Sequence, residues 1–153
     1  MARVDRARLE AALLPDPVFA ARMIVPTRFD DLDILGHVNN VSVVVILQEA
    51  RVDFNRLTGS RPDTTGLRMM AAGLTVEFAG EMHHPEPVEV LTGVLAIGRT
   101  SFTLGQVIRQ SGRTTAYSEA TMVFADTNGP AQIPAMIRAR LEDCLLPPVN
   151  IPR

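Results

Sequence analysis

The sequence predicts an α+β domain in which an antiparallel β-sheet packs against one long helix. An apolar run from Val41 to Leu57 has helical periodicity and sits between an asparagine and a glycine suited to the two ends of a helix. Four β-rich segments follow in close succession, and a second helical pattern closes the chain. At 153 residues, 46% of them apolar, the chain is expected to form one domain, 1–153, with an N-terminal extension at 1–21 and a C-terminal helix at 134–146.

The elements can be justified in order. MARVDRARLEAALL alternates charge with Ala and Leu, which suits a short amphipathic helix and not a secretion signal; Pro15 and Pro17 break it. RMIVPTRF, Arg22 to Phe29, reads as a strand whose internal Pro26 implies an edge or a bulge. VSVVVIL has strand propensity, but Val43, Ile46, Leu47, Ala50, Phe54 and Leu57 recur as one helical stripe. Asn40 is the expected N-cap and Gly59 the expected C′ residue. Val41, Val44, Val45 and Val52 fall elsewhere on the wheel, so the first two turns are apolar nearly all round. A helix of that kind is buried on every face, which calls for a curved sheet plus a partner subunit.

Strands are then expected over Arg68–Ala79, Val88–Ile97, Ser101–Arg109 and Thr114–Ala125. Their separators include PEP, GRT and SGR, and the short last two suit antiparallel hairpins. The turn DTNGP leads to the closing helix, with Pro134 near its start.

A net charge of −2 offers no basic excess for nucleic acid. No apolar run approaches the ~18 residues that span a bilayer. The lone Cys144 cannot form an internal disulfide and fits a buried apolar position, so the chain reads as a cytoplasmic protein.

The chemistry concentrates in FDDLDILGHVNN, residues 29 to 40. Asp31-x-Asp33-x-x-Gly36 begins like a calcium loop, but Leu35 and Ser42 stand where ligands are required, which excludes that reading. A transition-metal site on Asp31, Asp33 and His37, joined by His83 or His84, is an alternative; adjacent loop histidines are more often simply solvated. Turn-shaping and capping are the plain alternative for the acids and asparagines. That alternative does not account for a carboxylate beside the start of an apolar helix. Unpaired N–H groups and the positive dipole end make such a start an oxyanion site with a base alongside.

Asp31-x-Asp33-x-x-Gly36-His37-Val38-Asn39-Asn40, followed by Glu49-Ala50-Arg51, resembles the 4-hydroxybenzoyl-CoA thioesterase-like group of hot-dog-fold acyl-CoA thioesterases. The resemblance runs from about Met23 to Leu145 and implies a sheet wrapped around the Asn40–Gly59 helix. It further implies two subunits pairing into a continuous sheet with active sites at their interface, as a homodimer or a tetramer of dimers. It makes Asp33 the general base or nucleophile and the backbone N–H groups near Asn40 and Val41 the carbonyl-polarising donors. His37, Asn39, Asn40 and Val41 are the expected substrate-binding set. The implied substrate is an acyl-CoA or acyl-carrier thioester, with no metal or redox cofactor. A thiolate departs without a dedicated acid, so one carboxylate and oriented donors suffice and no G-x-S-x-G elbow is needed.

Relatives usually carry aromatic residues where this chain has Val43 and Ile46, which shifts the expected acyl group from aromatic towards aliphatic. Asp31 is expected to shape the turn or support Asp33, and Glu49 to pair with a residue such as Arg51 or Arg56. Arg61, Arg99, Arg109 and Arg113 are the available cations for coenzyme A phosphates. The competing classes are a non-catalytic acyl-thioester binding protein, a hot-dog dehydratase or hydratase using His37, and a structural oligomeriser.

Overall fold

The computed structural model describes residues 3–14, 21–61 and 65–148. Helix α1 spans Arg6–Leu13, β1 spans Ala21–Val25, and the long helix α2 spans Asn40–Thr58. Strands β2 (Arg68–Phe78), β3 (Val88–Ile97), β4 (Ser101–Gln110), β5 (Arg113–Asp126) and β6 (Gly129–Pro130) follow, and α3 (Ala135–Asp143) closes the order. The sheet runs β1-β3-β4-β5-β2, all neighbours antiparallel, with β6 added to the end of β5. The expected α+β hot-dog arrangement is the one observed. Pro15 and Pro17 lie outside the described residues.

Helix α2 holds because its apolar positions recur on one side. Val43, Ile46, Leu47, Ala50 and Phe54 are all buried against the sheet. At one end they meet Val88, Val90, Ile108 and Ala116. At the other they meet Phe102, Leu104, Phe124 and the α3 residues Ile137 and Leu141. Gly59 ends the helix in the left-handed conformation at φ 71°, as its position implied.

Three expectations need correction, and a fourth feature of α2 follows them. The N-cap is Asn39, whose side chain accepts the Ser42 N–H at 2.9 Å, so Asn40 becomes the first helical residue. Leu57 is exposed, and Thr58 takes the inward position one residue on, its hydroxyl donating to the Phe54 carbonyl. Strand β1 stops at Val25, ahead of Pro26, because proline has no N–H to contribute to a ladder. Within a single chain α2 is covered on one side; Val41, Val45 and Val52 form a second apolar stripe that stays exposed.

The opposite face of the sheet is covered by the N-terminal segment. Val4, Leu9, Ala12 and Leu13 pack on Leu91, Leu95, Val107 and Tyr117. Alternation along β4 explains the division: Phe102, Leu104 and Ile108 point to α2, whereas Gly105 and Val107 lie beneath α1. A Cβ at Gly105 would stand 2.3 Å from Leu9 Cδ2 and 3.0 Å from Leu95 Cδ1, two buried side chains with little room to retreat. Gly105→Ala is therefore expected to destabilise the fold by about 1–3 kcal/mol, read as a lower denaturant midpoint at unchanged m.

Candidate active site

The Asp-rich turn is positioned by two sets of hydrogen bonds. Asp31 is 2% exposed and accepts the Arg28 backbone N–H at 2.7 Å and Arg28 Nη2 at 2.8 Å. The Asp31 carbonyl in turn accepts the Asn39 N–H at 2.8 Å and Asn39 Nδ2 at 3.0 Å. Asn39 is thus engaged at both ends of its carboxamide, and the N-terminus of α2 is fixed to the 3-10 turn Phe29–Asp31. Asp31 supports the turn and the helix start.

Hydrogen bonds from the Arg28 side chain hold the Asp31 carboxyl below its ordinary pKa, against the opposing effect of burial. A carboxylate depressed in the folded state stabilises the fold above its unfolded pKa of about 3.9, and loses that effect as pH falls through the folded value. Asp31→Asn should therefore lower Tm at neutral pH, with the gap to wild type closing below about pH 4. Melting curves across the acid range test this.

Asp33 is exposed, and its Oδ1 accepts the N–H of Leu35 at 2.8 Å and that of His37 at 3.4 Å. The Asp33 N–H donates to the His37 carbonyl at 2.9 Å, which closes the turn around Gly36 at φ 80°. Both side-chain bonds fall on Oδ1, so the carboxylate is oriented while Oδ2 has no hydrogen-bond partner among the described residues.

Asp33 lines a cleft of about 400 Å³ together with Leu35, His37, Asn40, Val43, Phe78, Glu81 and Met82. Asn40 brings the start of α2 to this cleft. The first turn of the helix has no intrahelical acceptor for the N–H groups of Asn40 and Val41; Val43 N–H to the Asn39 carbonyl opens the i to i−4 series. Of the expected site residues, the catalytic candidate Asp33 meets His37 and Asn40 at the cleft, Asn39 serves the cap, and the Val41 side chain is 73% exposed on the bare stripe of α2.

Sequence reasoning missed the partner segment, residues 78–82, which forms the other wall. Val38 N–H donates to the Met82 carbonyl at 2.8 Å, which ties this segment to the Asp turn. His37 Nε2 lies 3.3 Å and His83 Nε2 3.7 Å from Glu81 Oε2. The alternation Glu-Met-His with an apolar middle residue was the available signal. The metal set considered from sequence does not assemble: Asp31 is engaged with Arg28, and His84 Nδ1 turns towards Thr27 at 3.2–3.3 Å.

A wider groove of about 620 Å³ adjoins the cleft at Gly80 and Glu81 and is lined also by Glu86, Ser111 and Arg113. Among the cations considered, Arg109 reaches Glu89 at 3.7 Å and donates to the Gly112 carbonyl. The expected pairing of Glu49 with Arg51 or Arg56 is not seen among the described residues. Arg51 turns inward to Gln106, and Glu49 shares a small cleft with Arg28 and Asp31. Burial, reinforced by Asp143, raises the Cys144 thiol pKa, the opposite of what a nucleophilic thiol needs. Among the described residues, no helix is long and apolar enough to cross a membrane.

The sequence model of the Thioesterase-like superfamily matches residues 27–141. A predicted thioesterase from Bacillus stearothermophilus is 28% identical, with a TM-score of 0.77 over 85% of this chain and 99% of that one. A thioesterase from Thermus thermophilus, solved with coenzyme A and Zn, is 26% identical, with a TM-score of 0.73 over 80% and 92%. The DHNA-CoA thioesterase from Staphylococcus aureus shares the fold at 18% identity, with a TM-score of 0.67 over 74% and 80%. No curated protein matches the chain.

Proposed function

Because this chain belongs to the thioesterase-like superfamily, whose model spans residues 27–141, we propose that it hydrolyses acyl-CoA thioesters with Asp33 as the catalytic carboxylate. The observation that carries this reading is the meeting of Asp33 and the first turn of α2 at one cleft. Asp33 Oδ2 activates water or attacks the thioester carbonyl directly. The N–H groups of Asn40 and Val41 stabilise the oxyanion, aided by the helix dipole. The thiolate then leaves without a dedicated acid, since thiols of this kind have a pKa of about 8.5.

The apolar part of the wall, Leu35, Val38, Val43, Phe78 and Met82, suits an aliphatic acyl group. The adjoining groove gives the remainder of the thioester a route past Gly80 towards Arg113. A thiol-release assay over aliphatic and aromatic acyl-CoA substrates tests the reading. Faster release from aliphatic members is expected; absence of release from every member, with acyl-CoA still bound, would replace hydrolysis by simple binding.

The active unit in this proposal is a homodimer joined along β2. This strand is an eleven-residue sheet edge that leaves Met70, Leu74 and Phe78 between 41% and 52% exposed. A long apolar edge of that kind is a template for pairing with another strand. Pairing there would also bring a second chain towards Phe78 and the open cleft. Light scattering is expected to give twice the 16.7 kDa chain mass. Met70→Lys should shift the protein towards monomer and lower activity with it; a fully active monomer would reject the arrangement.

A further inference from the structure

We propose that His37, Glu81 and His83 form a three-ligand site for a zinc-class divalent cation at the rim of the cleft. Their convergence follows from the backbone. In the loop that follows β2, Met82 is 2% exposed and anchored in the core, while its neighbours Glu81 and His83 are both exposed. Val38 is likewise buried, and its hydrogen bond to the Met82 carbonyl sets His37 beside that pair.

The distances suit a metal. Ligand atoms about 2.0–2.1 Å from a tetrahedral ion stand about 3.4 Å apart. Glu81 Oε2 is 3.3 Å from His37 Nε2 and 3.7 Å from His83 Nε2, and all three ligand atoms lie within 4.8 Å of one another. The two imidazole rings meet edge to face at 5.1 Å, so both histidines stand on the same side of the loop pair.

The loop that presents His83 is held independently of any ion. Gln110 accepts the His83 N–H at 2.8 Å and donates to the His83 carbonyl at 2.7 Å, a two-point clamp on the backbone. Only small side-chain adjustments would then close the site. Solvent reaches it, since the side chains of His37, Glu81 and His83 are 32%, 64% and 54% exposed. Two imidazoles and one carboxylate select zinc, cobalt or nickel over magnesium or calcium, which favour all-oxygen shells. Three protein ligands also leave a fourth position open.

Calorimetric titration of the chelator-treated full chain with zinc chloride tests the site, with cobalt absorption as a second readout. One ion per chain is expected, together with visible cobalt bands of a tetrahedral centre. His83→Ala should weaken zinc binding by about 100-fold or more, since even outer partners of ligands are worth 10–100-fold. His84→Ala, whose ring faces Thr27, should leave it unchanged. Glu81→Gln should weaken it as well, and excess magnesium should not compete. Absence of zinc binding below millimolar concentration, or binding that survives His83→Ala, would overturn the proposal. So would equal loss in His84→Ala. None of these readouts depends on thioester hydrolysis, so the site and the proposed activity stand or fall separately.

Discussion

Replacing Asp33 by asparagine is expected to lower kcat for thioester hydrolysis by about 10²–10⁴-fold, the usual worth of a positioned acid–base group. The substitution is informative because it leaves the turn chemistry largely intact. Both intramolecular bonds fall on Oδ1, from the N–H groups of Leu35 and His37, and an asparagine carbonyl can accept the same two. What is lost is the second oxygen, which becomes an amide NH₂ unable to take a proton or attack a carbonyl. Asp33 is also exposed, so stability should change by no more than about 0.5 kcal/mol. Thiol-release kinetics beside a melting curve separate the two effects. A kcat within a few-fold of wild type in a folded Asp33→Asn protein would remove this residue from the mechanism.

The largest expected effect on stability comes from Gln106→Leu. Arg51 sits on the sheet side of α2 at 6% exposure, and burial draws its guanidinium pKa down. Its Nη1 donates to Gln106 Oε1 at 3.0 Å. Gln106 is fully buried on β4, and its Nε2 donates to the Leu47 carbonyl at 3.1 Å and to Thr92 Oγ1 at 3.2 Å. One side chain therefore links the helix, β3 and β4 while solvating a buried cation. Leucine has nearly the same volume but cannot accept from Arg51. The loss is expected to be about 3 kcal/mol, because an unsatisfied buried charge costs more than an ordinary hydrogen bond returns. Arg51→Met added to Gln106→Leu should recover part of that loss, since removing both partners leaves fewer polar groups unpaired. Urea midpoints of the two single variants and the double variant measure the coupling.

The inward stripe of α2 was legible as a sequence pattern because helical burial repeats locally. Val43, Ile46, Leu47, Ala50 and Phe54 need no knowledge of their neighbours to declare a face. The β3–β4 and β4–β5 turns were legible for the same reason, since GRT and SGR carry their own turn chemistry. Ser111 and Gly112 do adopt positive φ, 50° and 77°. The family signature in residues 31 to 40 was equally local. Arg51 was harder: its charge suggested solvent and a pairing with Glu49, whereas the helix phase turns it inward. Its acceptor Gln106 lies 55 residues away, at a distance no local pattern spans.

The chain's own sequence determined an α+β fold with a long central helix, its hairpins, and the segment carrying Asp33, because each rests on contacts between residues a few positions apart. The tertiary structure alone decided that Asn39 and not Asn40 caps α2, and that Asp31 is committed to Arg28. It alone brought residues 78–82 to form the second wall of the Asp33 cleft and placed α1 over the far face of the sheet. These outcomes depend on which of several chemically adequate partners the packed backbone brings within hydrogen-bond or van der Waals reach. That competition is resolved across the sheet, between residues whose separation along the chain carries no periodic signal.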